Sequence, residues 1–178
     1  YRTGDAVVWV DPAKPQLGLR FDGRVAEDFK LATGTFVSVG PLRARIILQG
    51  DPCIQDAVIT GLNQNEVGAL LFPRMDACRR LAQLGAEASP LLVLGHPAVQ
   101  SFFKTLANDL ARSATGSATL VSRWRLLDVP PHIDKGEVTD KGSINQRAVL
   151  HHRAACVQAL YAAQADEPLQ FVVPAKAS

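Results

Sequence analysis

Two short segments near opposite ends of the 178-residue chain carry side chains whose types and spacing suit chemistry. In Tyr1-Arg2-Thr3-Gly4-Asp5 an Asp follows a Gly turn, and Arg24 comes 19 residues after it, in Asp22-Gly23-Arg24. Such a carboxylate can accept both hydroxyls of a ribose diol, and a guanidinium can join it as donor. The same pair also fits a turn cap and a solvated charge. The second segment is Glu137-Val138-Thr139-Asp140-Lys141-Gly142-Ser143-Ile144-Asn145-Gln146-Arg147. Ser143 and Gln146 form S-x-x-Q, a helix-start pattern, so Lys141 falls on a Gly-hinged loop just ahead of a helix. The helix dipole disfavours a cation there, so local stability does not call for it. A phosphate, by contrast, is attracted by both the lysine and the helix end. A plain surface lysine in a turn is the other reading.

Neither segment is a self-sufficient site. The chain has no G-x-x-x-x-G-K-[ST], no G-x-G-x-x-G and no G-x-S-x-G. His96, His132, His151 and His152 form neither H-x-x-x-H nor H-E-x-x-H, so no metal site is expected. Cys53, Cys78 and Cys156 are far apart and odd in number, which reads as reduced, mostly buried thiols and a cytoplasmic setting.

The elements that must position these residues follow from periodicity. Strands are expected at 6–10 and 17–21, joined as a hairpin across Asp11-Pro12-Ala13-Lys14-Pro15. A small hairpin is expected over 25–39, around the Thr33-Gly34 turn. A helix should begin with Pro41 as its first residue and end at Gly50. Residues 57–60 and 67–72 read as an antiparallel pair, and 120–126 as a further strand. Helical spacing connects Met75, Cys78, Leu81 and Ala82, and again Val99, Phe102, Phe103, Leu106 and Leu110. A polar loop from Pro130 to Gly142 precedes a last helix over 144–164. This predicts an α+β domain with a small mixed sheet and packed helices.

Composition narrows the function classes. With 17 acidic and 19 basic residues, a formal charge of +2 and 47% apolar residues, the chain is neither disordered nor strongly polybasic. Nucleic acid is therefore not an expected partner, and no apolar run is long enough for a membrane span. The start at Tyr1, without an initiator Met, reads as an excerpt from a longer chain.

Tyr-Arg-Thr-Gly-Asp, then Gly-Arg about twenty residues on, then a Lys-Gly loop near the C-terminus, together resemble the adenylate-forming ligase superfamily. Its members include acyl- and aryl-CoA synthetases, luciferases and peptide-synthetase adenylation domains. The runs Gly23-Arg24-Val25-Ala26-Glu27-Asp28-Phe29-Lys30-Leu31, Thr33-Gly34-Thr35-Phe36-Val37 and Thr139 to Arg147 look most like the feruloyl-CoA synthetase branch. The resemblance implies that residues 1–24 are the tail of a large N-terminal adenylation domain, ending in a β-hairpin. Residues 25–178 would be the mobile C-terminal lid domain. It implies a ligase that forms an acyl-adenylate and then an acyl-CoA thioester, with ATP, Mg²⁺ and CoA bound mainly through the N-terminal domain. It also implies that these 178 residues alone do not activate an acid.

Family roles carry over residue by residue. Asp5 matches the carboxylate on the ATP ribose, and Arg24 the arginine beside ribose and hinge. The hinge position falls on Ala26, with Glu27 next, where the family usually has Asp or Lys. Gly34 matches the turn that approaches the pantetheine tunnel. The family's catalytic lysine usually follows a Gly. Here Ser143 follows Gly142 and Lys141 precedes it, so Lys141 is the expected catalytic lysine, with Lys135 of the other Asp-Lys-Gly in reserve. A CoA 3′-phosphate would want exposed arginines, and Arg43, Arg45, Arg74, Arg79 and Arg80 are candidates, but solvated helix faces explain any one of them better, so none is taken as a site. Two other functions fit the sequence: an adenylating enzyme that loads a carrier protein, and a non-catalytic binding or regulatory module.

Overall fold

The computed structural model describes residues 4–162 and 169–174, with the backbone alone over 21–25. Tyr1-Arg2-Thr3, the Arg24 side chain and the end of the expected last helix lie outside the described residues. The first hairpin forms, from β1 (Asp5–Trp9) and β2 (Leu19–Arg24). A 3-10 turn at Val25–Glu27 leads to the small expected hairpin, β3 (Phe29–Lys30) and β4 (Phe36–Val37).

A four-stranded sheet forms the centre, in the order β5 (Ile54–Thr60), β6 (Val67–Pro73), β7 (Val121–Leu126), β8 (Gln170–Val172). The outer pairs are antiparallel and the β6–β7 pair is parallel, so the sheet is mixed. Its strands β5 and β6 are largely apolar on both faces because both are covered. Ala57 and Ile59 of β5, and Val67, Ala69 and Leu71 of β6, face a core shared with four helices. These are α1 (Val39–Gln49), α2 (Met75–Ala82), α3 (Pro90–Gly95) and α4 (Pro97–Arg112). The alternate residues Val58, Leu70 and Phe72 face a smaller core with Val149 of α5 (Gln146–His152) and Leu160 of α6 (Ala154–Ala162). The period of two in a strand thus divides one sheet between two helical layers.

Several expectations are corrected. Helix α1 starts at Val39, which puts Pro41 third rather than first. Proline is tolerated there because the first four helical N–H groups have no intrahelical partner. The Val39 N–H is satisfied by Asp28 Oδ1 at 2.9 Å. The expected helix over 144–164 is two helices, α5 and α6, broken at Arg153. Its expected Ser143–Gln146 cap does not form. Asn145 caps α5 by accepting from the Ala148 N–H at 3.3 Å, while Ser143 pairs with Thr139. The short helix α3, opened by Ser89-Pro90, and the edge strand β8 were not expected. Among the described residues no helix is long and apolar enough to cross a membrane.

Candidate functional site

The register of the first hairpin sets Asp5 directly opposite Arg24, at its open end. Antiparallel pairing thereby brings together two residues that the sequence separates by the whole hairpin. Immediately after Arg24, the Ala26 carbonyl accepts a 3.4 Å hydrogen bond from Arg147 Nη2, at the start of α5. With Asp28 on the first turn of α1, the Ala26-Glu27 segment is thus held from two helices. Arg147 is also the residue that brings the C-terminal motif to the segment expected to be a hinge.

Gly34 occupies the β3–β4 turn with φ +84°, a conformation that favours glycine, and open space lies where a Cβ would project. Its N–H donates to the Leu31 carbonyl at 2.9 Å, and the turn is docked on the β5–β6 loop by Ala32 N–H to the Gln64 carbonyl at 2.8 Å.

Lys141 is exposed and lies in a turn closed by Gly142 N–H to the Thr139 carbonyl at 2.8 Å, with Gly142 at φ +79°. Thr139 and Ser143 staple the base of this turn, hydroxyl to hydroxyl at 2.8 Å and Thr139 N–H to the Ser143 carbonyl at 2.8 Å. Lys135 sits in a turn of the same form, closed by Gly136 N–H to the Ile133 carbonyl at 2.8 Å, with Gly136 at φ +68°. Because α5 begins only at Gln146, Lys141 is not at the helix start, and the turn itself presents it.

Between the two turns lies Glu137, whose side chain is fully buried. Its carboxylate accepts from the His132 N–H at 2.8 Å and from Arg153 at 2.8 and 3.1 Å. Arg153 hydrogen bonding, ahead of the opposing effect of burial, holds this carboxyl below the usual carboxylate range. Neither residue was singled out by the sequence reading. The available signal was a lone arginine interrupting the apolar stripe of Val149, Leu150, Cys156 and Val157.

The arginines considered for a CoA phosphate divide. Arg43 is bidentate on Asp56, at 2.7 Å twice, Arg45 is held by Ser113, and Arg79 reaches Asp76 and the Ala88 carbonyl. Arg74 and Arg80 are exposed. Cys53 and Cys78 are buried, and burial pushes the Cys78 thiol up to about 12, which makes it unreactive. Among the described residues no group of three or more His, Cys, Asp or Glu could hold a metal ion.

Residues 29–165 match the family model described as the AMP-binding enzyme C-terminal domain. No curated protein sequence matches the chain. Among solved structures it is similar to the adenylation domain of a carboxylate reductase from Mycobacterium chelonae, at 25% identity and TM-score 0.63, over 92% of this chain and 23% of that one. It is similar also to the adenylation domain of the carboxylic acid reductase from Segniliparus rugosus, in complex with AMP and a co-purified carboxylic acid. There the identity is 21% and the TM-score 0.60, over 90% of this chain and 23% of the other. The anthranilate CoA ligase AuaEII, in complex with anthranoyl-AMP, shares 20% identity at TM-score 0.53, over 89% of this chain and 25% of that one. The chain therefore spans about a quarter of the length of these solved chains.

Proposed function

Because this chain belongs to the AMP-binding enzyme C-terminal domain family, we propose that it is the lid of a longer acid–thiol ligase of the feruloyl-CoA synthetase kind. Residues 1–24 are the tail of the N-terminal adenylation domain and 25–178 the lid. The observation that carries this reading is the turn that holds Lys141: exposed, shaped by Gly142, stapled by Thr139 and Ser143, and linked through Arg147 to the segment after Arg24.

The chemistry has two halves. A carboxylate oxygen of the acid attacks the α-phosphorus of ATP, the bond to the bridging oxygen of the β-phosphate breaks, and pyrophosphate leaves. Lys141 remains protonated throughout and stabilises the negative charge gathering on the phosphoryl oxygens. Asp5 holds the ribose hydroxyls, with Arg24 beside it. The lid then rotates about Ala26-Glu27, withdraws Lys141 and presents the Gly34 turn to the pantetheine arm of CoA. The thiolate attacks the acyl carbon, the bond to the phosphate oxygen of AMP breaks, and AMP leaves, the thiol proton having gone to solvent. The described residues offer no donor set for Mg²⁺, so no step is assigned to it.

The test is made on the longer protein that carries this domain. With ATP and a panel of hydroxycinnamic, benzoic and aliphatic acids, it should exchange pyrophosphate into ATP and form acyl-CoA, fastest with hydroxycinnamic acids. Acyl transfer to a carrier protein but not to CoA would replace the CoA reading with the carrier-loading one. No exchange with any acid would overturn the proposal.

A further inference from the structure

We propose that the buried Glu137–Arg153 pair positions the lysine-bearing loop, and through it sets the rate of adenylation; this rests on the lid reading above. Glu137 is the point at which the two Asp-Lys-Gly turns join. Its N–H donates to the His132 carbonyl at 3.1 Å, closing the Lys135 side, and its carbonyl accepts from the Asn145 N–H at 2.9 Å, closing the Lys141 side. The carboxylate adds bonds from the His132 N–H and from Nε and Nη2 of Arg153. Arg153 also donates to the Val129 and Pro130 carbonyls, at 2.8 and 2.7 Å, so the entry to the loop is fixed by the same guanidinium. That guanidinium lies 4.9 Å from the Phe72 ring centroid, on β6 of the central sheet. The exposed loop is thereby referenced to the central sheet.

Stability alone does not account for such a pair. A well-packed apolar substitute is often as stable as a buried ion pair, whereas the pair fixes geometry through directional bonds. On the Lys135 side His132, Ile133, Asp134 and Lys135 are exposed. On the Lys141 side the Thr139–Ser143 staple and the Val138–Ile144 bridge close the turn on itself. Glu137 and Arg153 are therefore what tie both turns to the loop entry at Val129 and Pro130 and to Phe72. His152 Nδ1 is a further 4.0 Å neighbour of the carboxylate. Both residues act through Lys141 and touch no substrate, so they are positioning residues.

The experiment uses the longer protein, with the panel acid that exchanges fastest and its preformed acyl-adenylate. Arg153→Lys and Glu137→Asp both keep the charges and alter the geometry, and Lys141→Ala runs beside them. Adenylation kcat should fall roughly 10- to 100-fold in both positioning variants, the effect of misplacing a reacting group by about 1 Å. KM for ATP, and thioester formation from the preformed adenylate, should stay within about 2-fold. A purely structural role would lower both half-reactions together or raise KM, and either result overturns the inference. Should Lys141→Ala be silent while the positioning variants slow adenylation alone, the pair still positions the loop and Lys135 becomes the acting lysine. Unchanged adenylation in both positioning variants, with Lys141→Ala slow, refutes the inference and leaves the lid reading standing.

Discussion

Lys141 stands on a turn whose closing bonds are all made by its neighbours. Replacing it with Ala should therefore change stability by no more than about 0.5 kcal/mol, as at other exposed sites. If it stabilises the charge that develops on ATP, adenylation in the longer protein should slow by roughly 10²–10³-fold. Lys135→Ala, on the twin turn, is the paired control, and a larger loss there would move the role to Lys135. Glu137 behaves differently, because its carboxylate is buried and paired. Glu137→Gln removes the counter-ion of the partly buried Arg153, which keeps its Val129 and Pro130 carbonyl acceptors, and should cost about 1–3 kcal/mol at pH 7. The folded carboxyl titrates below its ordinary value. Its contribution is thus complete above roughly pH 4.3 and is lost as pH falls through the lower folded value. Urea midpoints of the two proteins should converge as the pH is lowered; a gap that widens would rule out this account of the pair.

At the scale of elements, α5 and α6 lie against the sheet through two unusual contacts. Gln146 Oε1 accepts from the Ile59 N–H at 3.0 Å, on the edge strand β5. Gln146→Ala would strand that buried donor and should cost about 1–3 kcal/mol in denaturant unfolding. Gly68 on β6 lets α6 approach: a Cβ there would lie 2.8 Å from Leu160 Cδ2 and 2.9 Å from the Tyr161 hydroxyl oxygen. Gly68→Ala should destabilise by about 1–3 kcal/mol, and an unchanged midpoint would mean that α6 gives way freely. The sequence pattern misplaced the start of this layer for a physical reason. S-x-x-Q at Ser143 and Gln146 has the composition of a helix start, but Gln146 is engaged with a strand 87 positions away. Ser143 is engaged with Thr139. Likewise the apolar stripe from Val149 to Tyr161 runs through Arg153, and only the bonds to Glu137, Val129 and Pro130 show what engages an arginine at that position.

For the whole molecule, the α+β class, the two hairpins and the central antiparallel pair were legible because each rests on local alternation and turn residues. The β8 strand and the Glu137–Arg153 pair were not, since both depend on contacts between distant parts of the chain. Asp5 and Arg24 were legible as types, and the hairpin register supplies their proximity. The same hairpin leaves Val7, Trp9, Val10, Leu17 and Leu19 each about half exposed. In the lid reading the adenylation domain covers them. Limited proteolysis of the 178-residue chain should cut first between Asp22 and Asp28, and that region should become protected in the longer protein. Equal protection of the segment in both would mean one integrated domain rather than a tail and a lid.

A lid that turns on a hinge must leave one partner surface and meet another without sticking to a copy of itself. Open strand edges are where such sticking starts, because unpaired N–H groups invite a further strand. On the β5 flank the Ile59 N–H is already occupied by the Gln146 amide, and the opposite flank, β8, is only three residues long. The sheet thus carries a stopper on one side and too short a template on the other. In the lid reading, the Gln146 amide that helps seat α5 also takes up an edge donor that a second copy of the domain would otherwise meet.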